Sequence, residues 1–215
     1  MKIAIIGATG FVGSSILKEL ASRNHEITAI ARNPKNDQTK NVKWEKADIN
    51  NPEEIAKILA KNDLVISAFN AGWTNPNLYN DFIEGSKAIQ EAVKKSGVKR
   101  FIVIGGAGSL YVAPDLQAVD TADFPKEYYA GASAARDYLN ILKEEKDLDW
   151  TFFSPAFEMN PGITSGRTGK YRLGLENPVF DKNNRSILSV EDAAVVIADE
   201  AETAKHHQAR FTAAY

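Results

Sequence analysis

Three glycines at G-x-x-G-x-x-G spacing stand between a short apolar run and a helical pattern at the start of this chain, and no other feature limits its fold as sharply. Residues 2–6 (KIAII) are rich in β-branched side chains and read as a strand, Gly7, Gly10 and Gly13 follow, and residues 14–20 take up a helical pattern. A strand that turns sharply into a helix aims backbone N–H groups at one spot. The positive end of the helix dipole adds to them, so the fitting ligand is an anionic phosphate. Gly7 permits the turn, Gly10 lets the backbone approach a pyrophosphate, and Gly13 lets the helix lie close on the strand. Placed between strand and helix, the turn containing Gly7, Thr9, Gly10, Phe11, Val12 and Gly13 points to dinucleotide binding. The alternative is a glycine-rich turn with no ligand.

Further strands alternate with helices along the chain. Residues 25–31, 41–46, 63–68, 99–104 and 149–154 read as strands, and residues 51–61, 77–96, 126–146 and 189–203 as helices. Asn51 before Pro52 and Glu53, and Ser189 three residues before Asp192, are helix-start signals. Residues 63–68 form a continuous apolar run, as expected of a central parallel strand covered on both faces. This alternation predicts right-handed βαβ units and an α/β, doubly wound parallel sheet, the NAD(P)-binding Rossmann fold class. Residues 111–125 have loop character. Residues 157–186 are too long for a plain loop and predict a small substrate-side insertion or lid in a single domain of residues 1–215, with a strand-like piece at 169–172. Residues 208–214 read as an edge strand closing the chain.

The tip of the second strand selects the nucleotide. An acidic residue there would bind the ribose 2′-hydroxyl of NAD. Arg32 occupies the tip instead, with Lys35 close behind, and the pair suits a 2′-phosphate, so NADP(H) is preferred and NAD(H) remains possible. Asp48, where the third strand gives way to a loop, is placed to touch the adenine or to serve as a turn residue.

Several function classes are excluded by composition. A net charge of −2 gives no attraction for nucleic acid or a membrane surface. Zero cysteines remove thiolate metal sites and a Cys nucleophile, and His25, His206 and His207 lack ligand spacing, so no metal is expected. No apolar stretch approaches the roughly 18 residues that span a bilayer. The N-terminal run enters the core strand and glycine turn directly and cannot be removed as a signal peptide without destroying the site. A cytoplasmic protein with a small-molecule partner is the expectation; oligomeric state is not legible.

GATGFVG at residues 7–13 after the first strand, ARNPK at 31–35, the Asp48-Ile49 pair, SPAF at 154–157 and SILSVEDAA at 186–194 together resemble the atypical short-chain dehydrogenase/reductases of the NAD(P)H-binding group. Within it the chain is most similar to the NADH-flavin reductases, relatives of the biliverdin reductase B type and of the NmrA-like proteins. The resemblance spans essentially the whole chain. It implies further cofactor contacts at Ile49, at Ala68, Phe69 and Asn70 after the fourth strand, at Gly105 and Gly106 after the fifth, and at Pro155, Ala156 and Phe157 after the sixth. Gly105, Gly106 and Ala107 on one side, with Pro155 and Phe157 on the other, would form a slot in which the nicotinamide and an acceptor ring stack, with Trp73, Tyr111 and Phe157 as candidate stacking partners.

One departure from the family matters. Carbonyl-reducing members use Tyr-x-x-x-Lys, whereas Tyr128 is followed four residues later by Ala132 and Tyr129 by Ser133. A phenol with a pKa of about 10 is a poor acid at neutral pH without such help. Tyr129 is the candidate catalytic residue, against a structural or substrate-contact role. Reduction of a flavin or similar conjugated acceptor does not need the pair, because the cofactor carries the chemistry and the protein positions the rings. A non-catalytic NAD(P)-sensing role of the NmrA-like kind is the alternative.

Overall fold

In the computed structural model, which describes residues 1–35 and 39–215, strand β1 (Lys2–Ile6) lies at the centre of the molecule. Its side chains alternate between two apolar layers: Ile3 and Ile5 face one core, Ala4 and Ile6 the other. The same alternation recurs in β4 (Leu64–Ser67), β5 (Arg100–Ile104) and β8 (Asp149–Ser154), where Phe152 and Phe153 point to opposite layers. A strand buried on both faces needs helices on both. Helices α1 (Phe11–Ser22) and α5 (Val190–Thr203) cover one face; α2 (Pro52–Leu59), α3 (Leu78–Ser96) and α4 (Lys126–Lys143) cover the other.

The remaining strands are β2 (Glu26–Ala31), β3 (Val42–Lys46), a small hairpin of β6 (Tyr111–Ala113) and β7 (Leu116–Gln117), β9 (Arg172–Gly174) and β10 (Ala209–Ala214). The main sheet has the order β3-β2-β1-β4-β5-β8-β10-β9 and is parallel except for β9. Strand order therefore reverses between β1 and β4, which opens a crevice at their C-terminal ends. This is the expected doubly wound α/β fold. Both capping signals are realised: Asn51 Oδ1 accepts from Glu54 N at 3.3 Å and Ser189 Oγ from Asp192 N at 3.1 Å.

Three local expectations are corrected. Strand β10 is not an edge, because β9 adds to its free side in antiparallel register, Thr212 opposite Gly174 and Ala214 opposite Arg172. On it Arg210 is buried, its guanidinium donating to Ser109 O and pairing with Glu176. The strand-like piece expected at 169–172 pairs instead over Arg172–Gly174. The stretch expected to be plain loop at 111–125 contains the hairpin and a 3-10 turn at Ala118–Asp120.

Residues 157–186 are pinned at several points. Arg167 makes a two-pronged contact with Glu19 on α1, at 2.7 and 2.8 Å, and holds that carboxyl below the usual carboxylate range. Asp192, fully buried on α5, accepts from the backbone N–H of Thr168 and Gly169 and from the hydroxyls of Thr168 and Tyr215. Further on, Glu176 and Asn177 reach the β6 strand, where Tyr111 N donates to Glu176 O at 2.9 Å and Asn177 Nδ2 to Tyr111 O at 2.8 Å.

Candidate dinucleotide site

A cleft of about 490 Å³ opens where β1, β2, β3 and β4 end, with the first turns of α3 as its far wall. The glycine turn forms its floor. Gly7 has φ +80°, and a Cβ there would sit 2.5 Å from Ala68 O. Gly13 is pressed equally hard, since a Cβ on it would collide with the Gly7 carbonyl and come within 3.3 Å of Ala68 Cβ. Gly10 differs, because its φ of −73° suits any residue and an added Cβ would meet nothing nearer than 3.4 Å. The chain's own packing therefore requires glycine at the first and third positions and leaves the space over the second open.

Helix α1 begins without a side-chain cap and without an acidic residue in its first turn. Its first backbone bond runs from Ser14 N to Gly10 O, and the amides of Phe11, Val12 and Gly13 have no backbone acceptor among the described residues. Unsatisfied amides at the positive end of a helix are complementary to phosphate oxygens. The glycine turn and the α1 start thus fit the pyrophosphate of a dinucleotide.

Arg32, exposed beyond the end of β2, is the one basic residue among the described residues lining the cleft. It has no carboxylate partner among the described residues, which leaves its guanidinium available to a ligand. Asp48, Asp81 and Glu84 line the same cleft. Asp48 lines the cleft and also accepts from Asn50 N at 3.0 Å, so it shapes its own turn. Asp81 is held by the side-chain amides of Asn75 at 2.7 Å and Asn77 at 2.5 Å.

The cleft brings together Gly7, Thr9, Gly10, Arg32, Asp48, Ile49, Ala68, Phe69 and Asn70. Phe69 lays its ring on Phe82, at 6.0 Å and nearly parallel. Lys35 is exposed outside the lining, beside residues 36–38, which lie outside the described set. Gly105 and Gly106, after β5, and Pro155, Ala156 and Phe157, after β8, stand beyond the cleft at the same edge of the sheet. A Cβ on Gly105 would run into the Phe152 ring, so this glycine is demanded by packing. Phe157 is exposed and meets Phe180 edge-on at 6.1 Å. Tyr111 lies over the Arg210 guanidinium at 5.8 Å.

Tyr129 stands in the first turn of α4, half exposed, against Phe124. At the position where the pair would need its lysine, Ser133 turns its hydroxyl back onto the Tyr129 carbonyl at 2.6 Å. No cation supports the phenol from there.

Sequence reasoning passed over Asn75, Asp81, Glu84 and Gly85. Gly85 carried a signal: a glycine inside a long helix has a packing reason more often than not. A Cβ at Gly85 would lie 2.6 Å from the Phe69 ring and 2.8 Å from Ile49, so its absence lets both residues close the cleft wall.

Residues 7–203 match the sequence model of the family described as NAD(P)H-binding. A curated relative, the uncharacterized protein YwnB of Bacillus subtilis, is 37% identical over 99% of this chain and 97% of its own. Solved structures similar over all of this chain include two of note. The "putative epimerase" of Bacteroides thetaiotaomicron is 44% identical with TM-score 0.90 and is covered over 96% of its length. The "putative NADH-flavin reductase" of Streptococcus pneumoniae is 34% identical with TM-score 0.86 and is covered over 99%.

Proposed function

The chain belongs to the NAD(P)H-binding family, and from that premise we propose that it is an NADP(H)-dependent oxidoreductase that passes hydride to a flavin or similar conjugated acceptor. The observation that carries the cofactor half is the contrast within the glycine turn: Gly7 and Gly13 are required by the fold, whereas Gly10 borders open space beside three unpaired amides. In this reading the backbone of Gly7, Thr9, Gly10, Phe11, Val12 and Gly13 holds the pyrophosphate, and Arg32, with Lys35, meets the 2′-phosphate. Asp48 and Ile49 face the adenine. Ala68, Phe69, Asn70, Gly105, Gly106, Pro155, Ala156 and Phe157 flank the nicotinamide, and residues 157–186 wall the acceptor side. The activity is assigned to the cytoplasm.

Bound NAD(P)H would supply the hydride; the chain's part is to bind and orient the two rings. Reducing a carbonyl requires a proton delivered to the developing alkoxide, and Tyr129 lacks the cation that would make it a competent acid. A conjugated acceptor spreads the incoming charge over its ring system and draws its proton from solvent, which suits a site built for positioning. The S. pneumoniae relative, named for flavin reduction, agrees with this reading.

The test is oxidation of NADPH by the purified protein with FMN, FAD or a quinone in excess. Oxidation above the protein-free background supports the reading, and none with any acceptor removes it. The missing cation equally favours a nucleotide-sensing role, which predicts different affinities for NADP⁺ and NADPH without turnover.

A further inference from the structure

Beside the cleft, at the same edge of the sheet, a group of large aromatic side chains is left in water. Trp73, Tyr128 and Tyr129 are 60%, 52% and 49% exposed. They are fixed in place by their neighbours. The Trp73 ring meets Tyr128 edge to face at 5.9 Å and 86°, and it sits over Gly131 on α4, where a Cβ would come within 2.7 Å of it. Tyr129 meets Phe124 at 6.5 Å and 72°. An edge-to-face pair is a favoured aromatic arrangement, and both rings keep about half or more of their surface in water, where a further ring can meet them. Exposed apolar surface held this way marks a binding surface more often than an accident of composition.

The shelf is continuous with the cleft. Trp73 lies in the loop after β4, and Asn70, Ala71 and Asn75 of that loop line the cleft wall. On its other side α4 runs past the segment after β5, with Ala135 against Gly106 and Ala132 against Gly108. The shelf thus adjoins both the nucleotide cleft and the helix that packs on the segment after β5.

The surroundings are acidic. Residues 111–129 carry Asp115, Asp120, Asp123 and Glu127 against Lys126 alone. Asp120 is taken up by Arg136 at 3.0 Å, whereas Asp123 and Glu127 are exposed and have no cation partner among the described residues. Arg136 is itself committed to Asp120 and Asp137. An anionic ligand would meet repulsion from these carboxylates, with Lys126 the one basic residue of that stretch to answer it.

We propose that this shelf binds the oxidised acceptor, and that the acceptor is a planar conjugated ring system without net negative charge, a neutral quinone or flavin ring or a cationic heterocycle, in preference to one bearing phosphate or carboxylate. The proposal rests on the reductase reading and narrows its substrate class.

Riboflavin and FMN share one ring system and differ by a phosphate, so they isolate the charge. Each is titrated against the full chain with and without saturating NADP⁺, by calorimetry, and NADP⁺ affinity is measured separately. Riboflavin is expected to bind at least about five-fold tighter than FMN. Trp73→Ala should weaken riboflavin roughly ten-fold, the loss of one stacked ring, with Trp73→Phe restoring most of it and NADP⁺ affinity unchanged in both. Asp123→Lys with Glu127→Lys should close the gap between the two flavins. FMN binding as tightly as riboflavin, or riboflavin affinity indifferent to Trp73→Ala, overturns the proposal. Loss of NADP⁺ binding in the unsubstituted chain would instead overturn the reductase reading, and the two failures are read on different ligands.

Discussion

Gly13 packs on Gly7 so closely that a side chain of even one carbon would lie 2.9 Å from the Gly7 carbonyl carbon and closer still to its oxygen, whereas a carbon added at Gly10 stays 3.4 Å from that oxygen. The three glycines therefore do different jobs. Gly13→Ala is expected to destabilise the fold by about 1–3 kcal/mol, the usual range for forcing an extra carbon into a packed core, and Gly7→Ala to do so as well, with added strain from its positive φ. Gly10→Ala should change stability by less than about 1 kcal/mol while weakening NADPH at least about ten-fold. Thermal melts and NADPH titrations of the three variants separate the two classes.

Arg32 is the second point of test, because it lines the cleft with no carboxylate partner among the described residues. Arg32→Asp should lower NADPH affinity by about 1.5–3 kcal/mol, the worth of a charge-assisted hydrogen bond, and leave NADH unchanged or improved. Competitive titration with the two nucleotides measures it, and equal loss for both would mean that Arg32 does not read the phosphate.

The helical layout of this chain was readable from its alternation of apolar runs with capped helices, because a strand covered on both faces and a helix start each leave a local pattern. What failed to show was long-range. Residues 208–214 read as an edge strand, and only the antiparallel approach of β9 and the contacts of Arg210 with Ser109, 101 positions away, and with Glu176 show that the strand is covered. The cleft divided the same way. Gly7, Gly10 and Arg32 could be found from the turn and the strand tip, whereas Asp81 and Glu84 reach the cleft from α3, a helix whose other face is core. The Trp73 shelf depends on Gly131, a residue with no meaning until α4 is seen against the loop after β4.

Asp192 should prove a strong structural residue. Its buried carboxylate gathers four donors from Thr168, Gly169 and Tyr215. Asp192→Ala strands buried donors, each costing about 1–3 kcal/mol, so a loss on the order of 3 kcal/mol is expected. Hydrogen exchange should show the Thr168 and Gly169 amides losing protection more than those of β1.

Acid stability has a defined contributor in Glu145. Burial raises its pKa, but the Asp147 backbone amide, Gln90 and Lys94 outweigh burial and bring it down to about 2. A carboxyl depressed in the folded state stabilises fully above its unfolded pKa of about 4.3, and that stability is lost as pH falls from there toward 2. The contribution is on the order of 2–3 kcal/mol. Glu145→Gln should therefore flatten the loss of stability over this window in urea titrations and leave the curve at higher pH parallel to that of the unsubstituted protein.

The central claim is that this chain positions NADPH against a conjugated acceptor, and the most direct measurement is anaerobic mixing of protein-bound NADPH with riboflavin while both chromophores are followed. The account predicts that NADPH disappears and reduced flavin forms in equal amounts, at a rate that saturates with riboflavin and exceeds that of the protein-free mixture. NADPH that binds tightly yet reduces riboflavin no faster than it does without protein would contradict it.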